Sequence, residues 1–394
     1  MWAGGAELIG NFVTAIKHEY PESEIFLLHN SSNKFTSKII RILYSILLII
    51  KLGPSAVFKD VKSIIDGTDK FFSLKDFIRQ DEIFETLKVI ETDFSSKSLN
   101  SIRDKYRLDV IFAASYPLSK KYLGKWIGYI TDIQHRRFKN NFTWIERLRR
   151  DYIFGQILKR STATCVNSFD VKNDLINYYG IEYSNKIRVL PVCPFPRRQW
   201  LIDELDVLPK YKLPRKYFLI SSQLWMHKSH LTAFKALKQI LKKHNDIHII
   251  CTGDTNDYRN PTYFGFLKDQ IESMGLTKMI LFLGLIPKYD QIQIMRKSIA
   301  VLQPSIFEGG PGGGAVQNAL ALGVRSIIAD IPINREIKDP TVIYFTAESS
   351  LDLAKKMNEV IGSTYVTSKE SVVKKGAKMK TILARNIIKV IKEL

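Results

Sequence analysis

The sequence predicts an α/β protein of two doubly wound, Rossmann-like domains facing one another across a cleft, and three observations carry that prediction. The chain has 394 residues, long for one domain and comfortable for two. Its second half alternates short, continuously apolar runs with amphipathic stretches, the pattern of a parallel sheet covered on both faces. Between the halves lies Pro191-Val192-Cys193-Pro194-Phe195-Pro196, which cannot sustain a helix. The boundary is placed there. Residues 1–195 form the first domain, 196–368 the second, and 369–394 a basic, amphipathic C-terminal helix.

The first domain opens on Gly4-Gly5-Ala6-Glu7, and Leu8, Ile9, Phe12, Val13 and Ile16 follow at helical spacing. A glycine-rich turn that opens a helix normally follows a strand, so the first strand of this domain is read as missing or truncated. Residues 24–29, 109–114, 126–131 and 163–167 are expected as strands, and 144–158 as a helix. In the second domain, strands are expected at 217–221, 248–252, 280–283, 300–303, 326–329 and 342–345. Helices are expected between them, for example at 231–243 and 263–274.

Composition narrows the function classes. A net charge of +20 and a pI near 9.6 imply an anionic partner: nucleic acid, an acidic membrane surface or phosphate-bearing substrates. Part of that charge reflects a general Lys-, Ile- and Asn-rich bias. No nucleic-acid-binding motif is recognisable and the basic residues are spread widely, so nucleic acid is set aside. Cys165, Cys193 and Cys251 are odd in number, far apart and form no CxxC pair. They argue against a disulfide framework and a structural zinc site, and for a reducing, cytoplasmic compartment. The N-terminus lacks a basic start followed by an apolar run, so no signal peptide is read. The apolar run 39–50, interrupted by Arg41 and flanked by Lys38 and Lys51, is shorter than the roughly 20 residues of a membrane span. It reads either as a buried helix or as an interfacial helix with basic edges.

Parallel doubly wound sheets bind ligands at the carboxyl ends of their strands, so those positions are the candidates. After 217–221 come Gln223 and Lys228, the latter near a helix start where a bound phosphate is favoured. After 248–252 comes Gly253, which lets a ligand or loop approach the backbone. After 280–283 come Gly284 and Leu285, whose backbone can read the edge of a base. After 300–303 comes Glu308-Gly309-Gly310-Pro311-Gly312-Gly313-Gly314-Ala315, with five glycines in six positions opening onto a helix that ends at Gly323. Successive glycine amides at a helix N-terminus form an anion-binding nest. Glu308 would repel phosphate, but it suits a hydroxyl-rich group beside one. Together they describe a sugar nucleotide. In the first half, His135 of Asp132-Ile133-Gln134-His135 follows a buried strand, either facing the cleft or serving the core. Arg136, Arg137, Lys139, Arg147, Arg149 and Arg150 make the densest basic region, suited to a phosphate-bearing or membrane-bound acceptor or simply to a solvated face. No Asp-x-Asp triplet occurs, so no metal and no cofactor is expected.

These strand ends together resemble the retaining glycosyltransferases of the GT-B fold, family 4 type (glycosyl transferases group 1). The resemblance is best from Ser221 to Glu336. It rests on Gly4-Gly5-Ala6-Glu7, Asp132-Ile133-Gln134-His135, Gln223 through His230, Phe307 through Gly323, and Asp330-Ile331-Pro332. It implies a catalytic set of Glu308 on the donor-sugar hydroxyls, Lys228 on the leaving phosphate and His135 near the reacting carbon. It also implies a donor-binding set of Gly4, Gly5, Gln223, Gly253, Leu285, Gly309, Gly310, Gly312, Gly313, Gly314, Ala315 and Asn318. The Gly312–Gly314 amides would hold the diphosphate, and the C-terminal helix would pack back across the domains. Two positions depart from the family pattern. The usual second Glu, eight residues after the first, is replaced by Val316 with Asn318 in its place two residues on. The Arg five residues before the lysine is Gln223. The expected function is metal-independent, retaining transfer of a sugar from a nucleotide-diphosphate donor to a glycan or lipid-linked glycan in surface polysaccharide biosynthesis. The expected site is the cytoplasm, with peripheral contact at the anionic inner face of the plasma membrane. The alternative is a catalytically impaired sugar-nucleotide or glycan-binding relative.

Overall fold

The structure, a computed structural model, describes residues 3–30, 82–202, 207–257, 259–363, 365 and 367–394. The apolar run 39–50 lies outside these. In the first half, helix α1 (Ala3–Glu19) leads to β1 (Phe26–Asn30) and β2 (Lys88–Thr92), paired in parallel. Helix α2 (Ser96–Tyr106) follows. Then β3 (Ile111–Ala114), β4 (Trp126–Tyr129), β5 (Ala163–Val166) and β6 (Ile187–Val189) form a parallel sheet in that order. Helices α3 (Trp144–Arg160) and α4 (Phe169–Tyr179) are the crossovers flanking β5. Gly4 and Gly5, expected in a turn after a strand, lie in the first turn of α1. Strand β2 was not expected: its run Lys-Val-Ile-Glu-Thr buries only alternate residues, so it lacks the continuous apolar signal of a central strand.

The second half holds six parallel strands: β7 (Tyr217–Ser221), β8 (His248–Thr252), β9 (Ile280–Gly284), β10 (Val301–Gln303), β11 (Ser326–Ala329) and β12 (Val342–Phe345). Between them run α5 (His230–Ile240), α6 (Tyr263–Ser273), α7 (Lys288–Lys297), α8 (Gly313–Leu322) and, after β12, α9 (Ser350–Ile361). The spatial order is β12-β11-β10-β7-β8-β9. Tyr217, Phe218, Leu219 and Ile220 are all buried because both faces of the sheet are covered. The chain winds outward from β7 to β9, returns beside β7 as β10, and winds outward the other way. A crevice therefore opens between the carboxyl ends of β7 and β10, where the winding reverses.

The last helix, α10 (Lys369–Lys392), touches both halves. Near its start, Lys375 pairs with Asp339, and Gly376 passes so close to Pro196 that an added β-carbon would stand 2.8 Å from the proline ring. Farther along, Leu383, Ala384, Ile387 and Val390 pack with Phe12 and Ala15 of α1 and with Ile127 and Cys165 of the first sheet. Glu19 of α1 accepts hydrogen bonds from Thr381 and Arg385, both at 2.8 Å. All three cysteines are free and buried. Burial pushes the Cys165 thiol up to about 12 and the Cys193 thiol up to about 11. No helix among the described residues is long and apolar enough to cross a membrane.

Candidate active site

A pocket lies at the winding reversal. Ser221 and Ser222 at the end of β7, Leu302 and Gln303 of β10, and Gly312, Gly313, Gly314 and Ala315 at the start of α8 line it, together with Lys228 and Glu308. Residues nearly ninety positions apart meet here because β7 and β10 are neighbours in the sheet.

Lys228 sits in a tight turn after β7. Ser229 takes a left-handed conformation (φ 51°) before α5 begins, so the lysine projects back over the strand ends. Its Nζ lies 2.7 and 2.8 Å from the two carboxylate oxygens of Glu308. Both side chains are largely buried, at 15% and 7% exposure. The two groups assigned to phosphate and sugar are thus each other's partner. That arrangement avoids the large cost of an unpaired charge in a dry pocket.

The glycine run is shaped by this pair. Gly313 has φ 59°, and a β-carbon there would stand 2.5 Å from Glu308 Oε2. Only a residue without a side chain fits against the carboxylate. Not all of its amides are available to an anion. The Gly312 N–H donates to Asn334 Oδ1 at 2.9 Å, and the Gly313 N–H donates to the Gly310 carbonyl at 3.0 Å. Of the Gly312–Gly314 amides named for the diphosphate, two are thus engaged within the protein. Gly314 and Ala315 amides take no partner among the described residues, and both residues line the pocket. The first turn of a helix leaves such N–H groups unsatisfied. Asn318 is buried and stands one turn below Gly314 and Ala315 on the same face of α8. Val316 instead joins an apolar cluster with Leu320, Ile328 and Ile337. Residue 316 is thus committed to the core.

Asn334 was not singled out from sequence. Fully buried, it spends every polar atom: besides Gly312, its Nδ2 donates to Gln303 Oε1 at 3.0 Å and to the Ala329 carbonyl at 2.9 Å. It ties the glycine loop to β10 and β11. The available signal was an amide two residues after Asp330-Ile331-Pro332.

Other assigned residues lie around the pocket rather than in it. Gly253 has φ 132°, and a β-carbon there would meet the Ser222 carbonyl oxygen at 2.3 Å, so it lets the β8 turn close onto the β7 turn. Gln223 is exposed beside that contact. Leu285, at the carboxyl end of β9, is 77% exposed. Gly309 and Gly310 face the first half instead of the pocket. The Gly309 carbonyl accepts from Asn167 Nδ2 at 2.7 Å, and added β-carbons on the two would crowd Asp132 and Asn167.

The seam continues on both sides. Glu336 accepts the backbone N–H groups of Phe169 (3.0 Å) and Asp170 (2.8 Å), capping α4 of the opposite half. Arg259 stacks on Trp225 and donates to Gln134 Oε1 at 3.3 Å. Lys288 pairs with Glu7 of α1 at 3.2 Å.

Of the two places open to His135, the core holds it. Its ring is fully buried, packed against Phe142 and Phe154, with Nε2 at 2.8 Å from Asp151 of α3. It turns into the first domain, because the short helical turn Gln134–Arg137 directs Gln134 toward the seam and His135 under α3. Burial lowers its pKa despite Asp151. Two further buried histidines flank Lys228. Burial first, then the lysine charge, hold His227 down to about 2 and His230 down to about 3. Both are therefore neutral at physiological pH, and Lys228 is the cation of the pocket.

Comparison with known proteins finds a family likeness in the second half. Residues 207–379 match the family described as glycosyl transferases group 1, so the resemblance holds over the half that carries the pocket. No curated protein matched the chain in a sequence comparison. Among solved structures, Anabaena HepE in complex with UDP is 15% identical, covers 94% of this chain and 100% of its own, and superposes with a TM-score of 0.59. A glycosyltransferase from Rickettsia africae is 17% identical over 95% of this chain and 99% of its own, at 0.56. Sucrose-phosphate synthase from Thermosynechococcus elongatus is 13% identical over 83% of this chain and 77% of its own, at 0.52. These likenesses establish the two-domain GT-B fold.

Proposed function

We propose that this chain, whose residues 207–379 match the glycosyl transferases group 1 family, moves a sugar from a nucleotide-diphosphate donor to a glycan or lipid-linked glycan acceptor. The observation that carries the proposal is the Lys228–Glu308 pair facing the open amides of Gly314 and Ala315 at the winding reversal. A donor entering there would place its diphosphate between Lys228 and the α8 N-terminus. Glu308, released from the lysine, would accept hydrogen bonds from sugar hydroxyls. Lys228 and the amides would then stabilise the charge that develops as the nucleoside diphosphate leaves. Asn318 would reach the ribose. The HepE neighbour was solved with UDP and with UDP-glucose, which favours a uridine nucleotide as the first donor to test.

The rest of the proposal concerns chemistry and place. The reaction is retaining and metal-independent, the second from the lack of an Asp-x-Asp triplet. The acceptor belongs to surface polysaccharide synthesis and is met at the cytoplasmic face of a membrane, which the basic region 136–150 would attract. A second reading, a binding protein without turnover, is favoured by Asn318 and Gln223 standing where the family carries Glu and Arg. Calorimetry against UDP, GDP, ADP and their sugar conjugates, coupled to a donor-hydrolysis assay, separates these. Micromolar binding with turnover supports the transferase. Binding without turnover supports the second reading. A folded protein that binds no nucleotide overturns both.

A further inference from the structure

Gln303, the last residue of β10, carries a hydrogen-bond donor that the fold leaves unused. It lines the pocket at the winding reversal and is 5% exposed. Its Oε1 accepts from Asn334 Nδ2 at 3.0 Å. Its Nε2 is buried and meets no acceptor among the described residues. Leaving a buried donor unpaired is costly, and nearly all buried polar groups have a partner. Gln223, by contrast, is exposed and lies outside the pocket lining.

The network around Asn334 decides which end of the Gln303 amide is free. The Gly312 N–H can only donate, so the Asn334 atom 2.9 Å from it is the oxygen Oδ1. The other end of Asn334 is then its NH2 group. The Ala329 carbonyl, which can only accept, takes one of those hydrogens at 2.9 Å. The second hydrogen goes to Gln303, so the Gln303 atom that faces Asn334 is the oxygen Oε1. Reversing the Gln303 amide would set two NH2 groups against each other. Nε2 is therefore fixed as the unused end.

A ligand that satisfies Nε2 must bring an oxygen that accepts. Around it the same pocket presents Lys228, which is a donor, and the open Gly314 and Ala315 amides, which are donors too; Glu308 is the carboxylate. A phosphoryl oxygen only accepts, and a diphosphate carries several, so one ligand can meet the lysine, the amides and Gln303 together. Sugar hydroxyls are left to Glu308. We infer that Gln303 Nε2 donates to a phosphoryl oxygen of the bound ligand, and that Asn334 keeps that end of the amide available. The contact strengthens the hold on a diphosphate without adding a second cation to the pocket. It deepens the donor reading above, and rests on that reading only for the nucleoside and sugar attached to the phosphate.

The test is calorimetry of the full chain with inorganic pyrophosphate and with UDP, GDP and ADP, with circular dichroism to confirm folding. Gln303→Met keeps the side-chain length and removes the donor. It is expected to weaken pyrophosphate and nucleotide binding about thirtyfold, the worth of one hydrogen bond to a charged group. Gln303→Glu keeps the oxygen that Asn334 uses and puts a second oxygen where the donor was. It is expected to weaken both by a larger factor than Gln303→Met. If Gln303 served only to hold Asn334 and the glycine loop, the Glu variant would bind as the parent does, and that result would overturn the inference even where the Met variant fails to fold. Parent-like affinity in a folded Met variant, or a parent that binds none of these anions, would also overturn it. A parent that binds pyrophosphate with the expected losses but binds no nucleotide would count against the proposed function and leave this contact standing. Nucleotide binding undiminished in both variants would do the reverse.

Discussion

Replacing Glu308 by Gln should tighten the binding of a free nucleoside diphosphate while weakening recognition of the sugar. The carboxylate lies 2.7–2.8 Å from Lys228 Nζ and so neutralises the lysine. A diphosphate on the other side of the lysine would sit about 5 Å from the carboxylate, two hydrogen-bond lengths across. At an effective dielectric constant of about 20, two unit charges at that distance repel by about 3 kcal/mol. Some of that is lost because the pocket is open to water, so roughly 2 kcal/mol, or thirtyfold in Kd, is the expected gain. Gln is nearly isosteric and its carbonyl still accepts from Lys228, so the fold should be kept. Calorimetry with the nucleoside diphosphate that the parent binds best, and then with its sugar conjugate, reads the outcome. The nucleotide should bind more tightly, the added affinity from the sugar should shrink, and turnover should fall. A nucleotide affinity that is unchanged or weaker would show that the carboxylate does not share a field with the phosphate, refuting the placement of the diphosphate at Lys228.

Three further outcomes follow from the same geometry. Lys228→Ala leaves a 7%-exposed carboxylate unpaired; unfolding in denaturant should reveal a loss of about 3 kcal/mol, largely recovered in the Lys228→Ala/Glu308→Ala pair, with nucleotide binding lost in both. Asn334→Ala strands the Gly312 N–H and Gln303, and should cost about 2 kcal/mol in stability and lower donor affinity by loosening the glycine loop. The folded-state pKa values of His227 and His230 lie below the ordinary value near 6.5, so their contribution is present above pH 6.5 and is lost as pH falls below it, because the unfolded chain takes up protons that the folded one refuses. Melting scans between pH 7.5 and 4.5 should show stability falling by up to about 2.7 kcal/mol per pH unit from this pair, with the slope halved in a His230→Asn variant that still folds.

The strand runs of the second half and the glycine loop were legible in the residues. Runs such as Tyr-Phe-Leu-Ile-Ser and Ser-Ile-Ile-Ala are apolar on consecutive positions, which only a doubly covered strand tolerates, and they fall at 217–221 and 326–329 in sequence and structure alike. Gly323 ends α8 in the left-handed conformation, as a glycine after an apolar helix should. Local chemistry decides such features, and local chemistry is written in order along the chain. Strands β2 and β6 were not legible, because a short run with alternating or partial burial gives no continuous apolar signal.

The site depended on contacts between distant segments. Lys228 and Glu308 could each be nominated from neighbouring residues, but only the β7–β10 pairing makes them partners. No local pattern announces that Asn334 takes the Gly312 amide or that Glu336 caps a helix of the other half. His135 shows the same limit in reverse. A histidine after a buried strand has two places to go, and the sequence carries no information on which side of the chain α3 will pack. Asp151, sixteen residues on, is what draws it inward. Periodicity and turn chemistry act over a few residues, so the sequence alone determined most of the elements but not the order of the strands. Hydrogen bonds and ion pairs act through space, so which amides stay open and which charges cancel were decided by the tertiary structure.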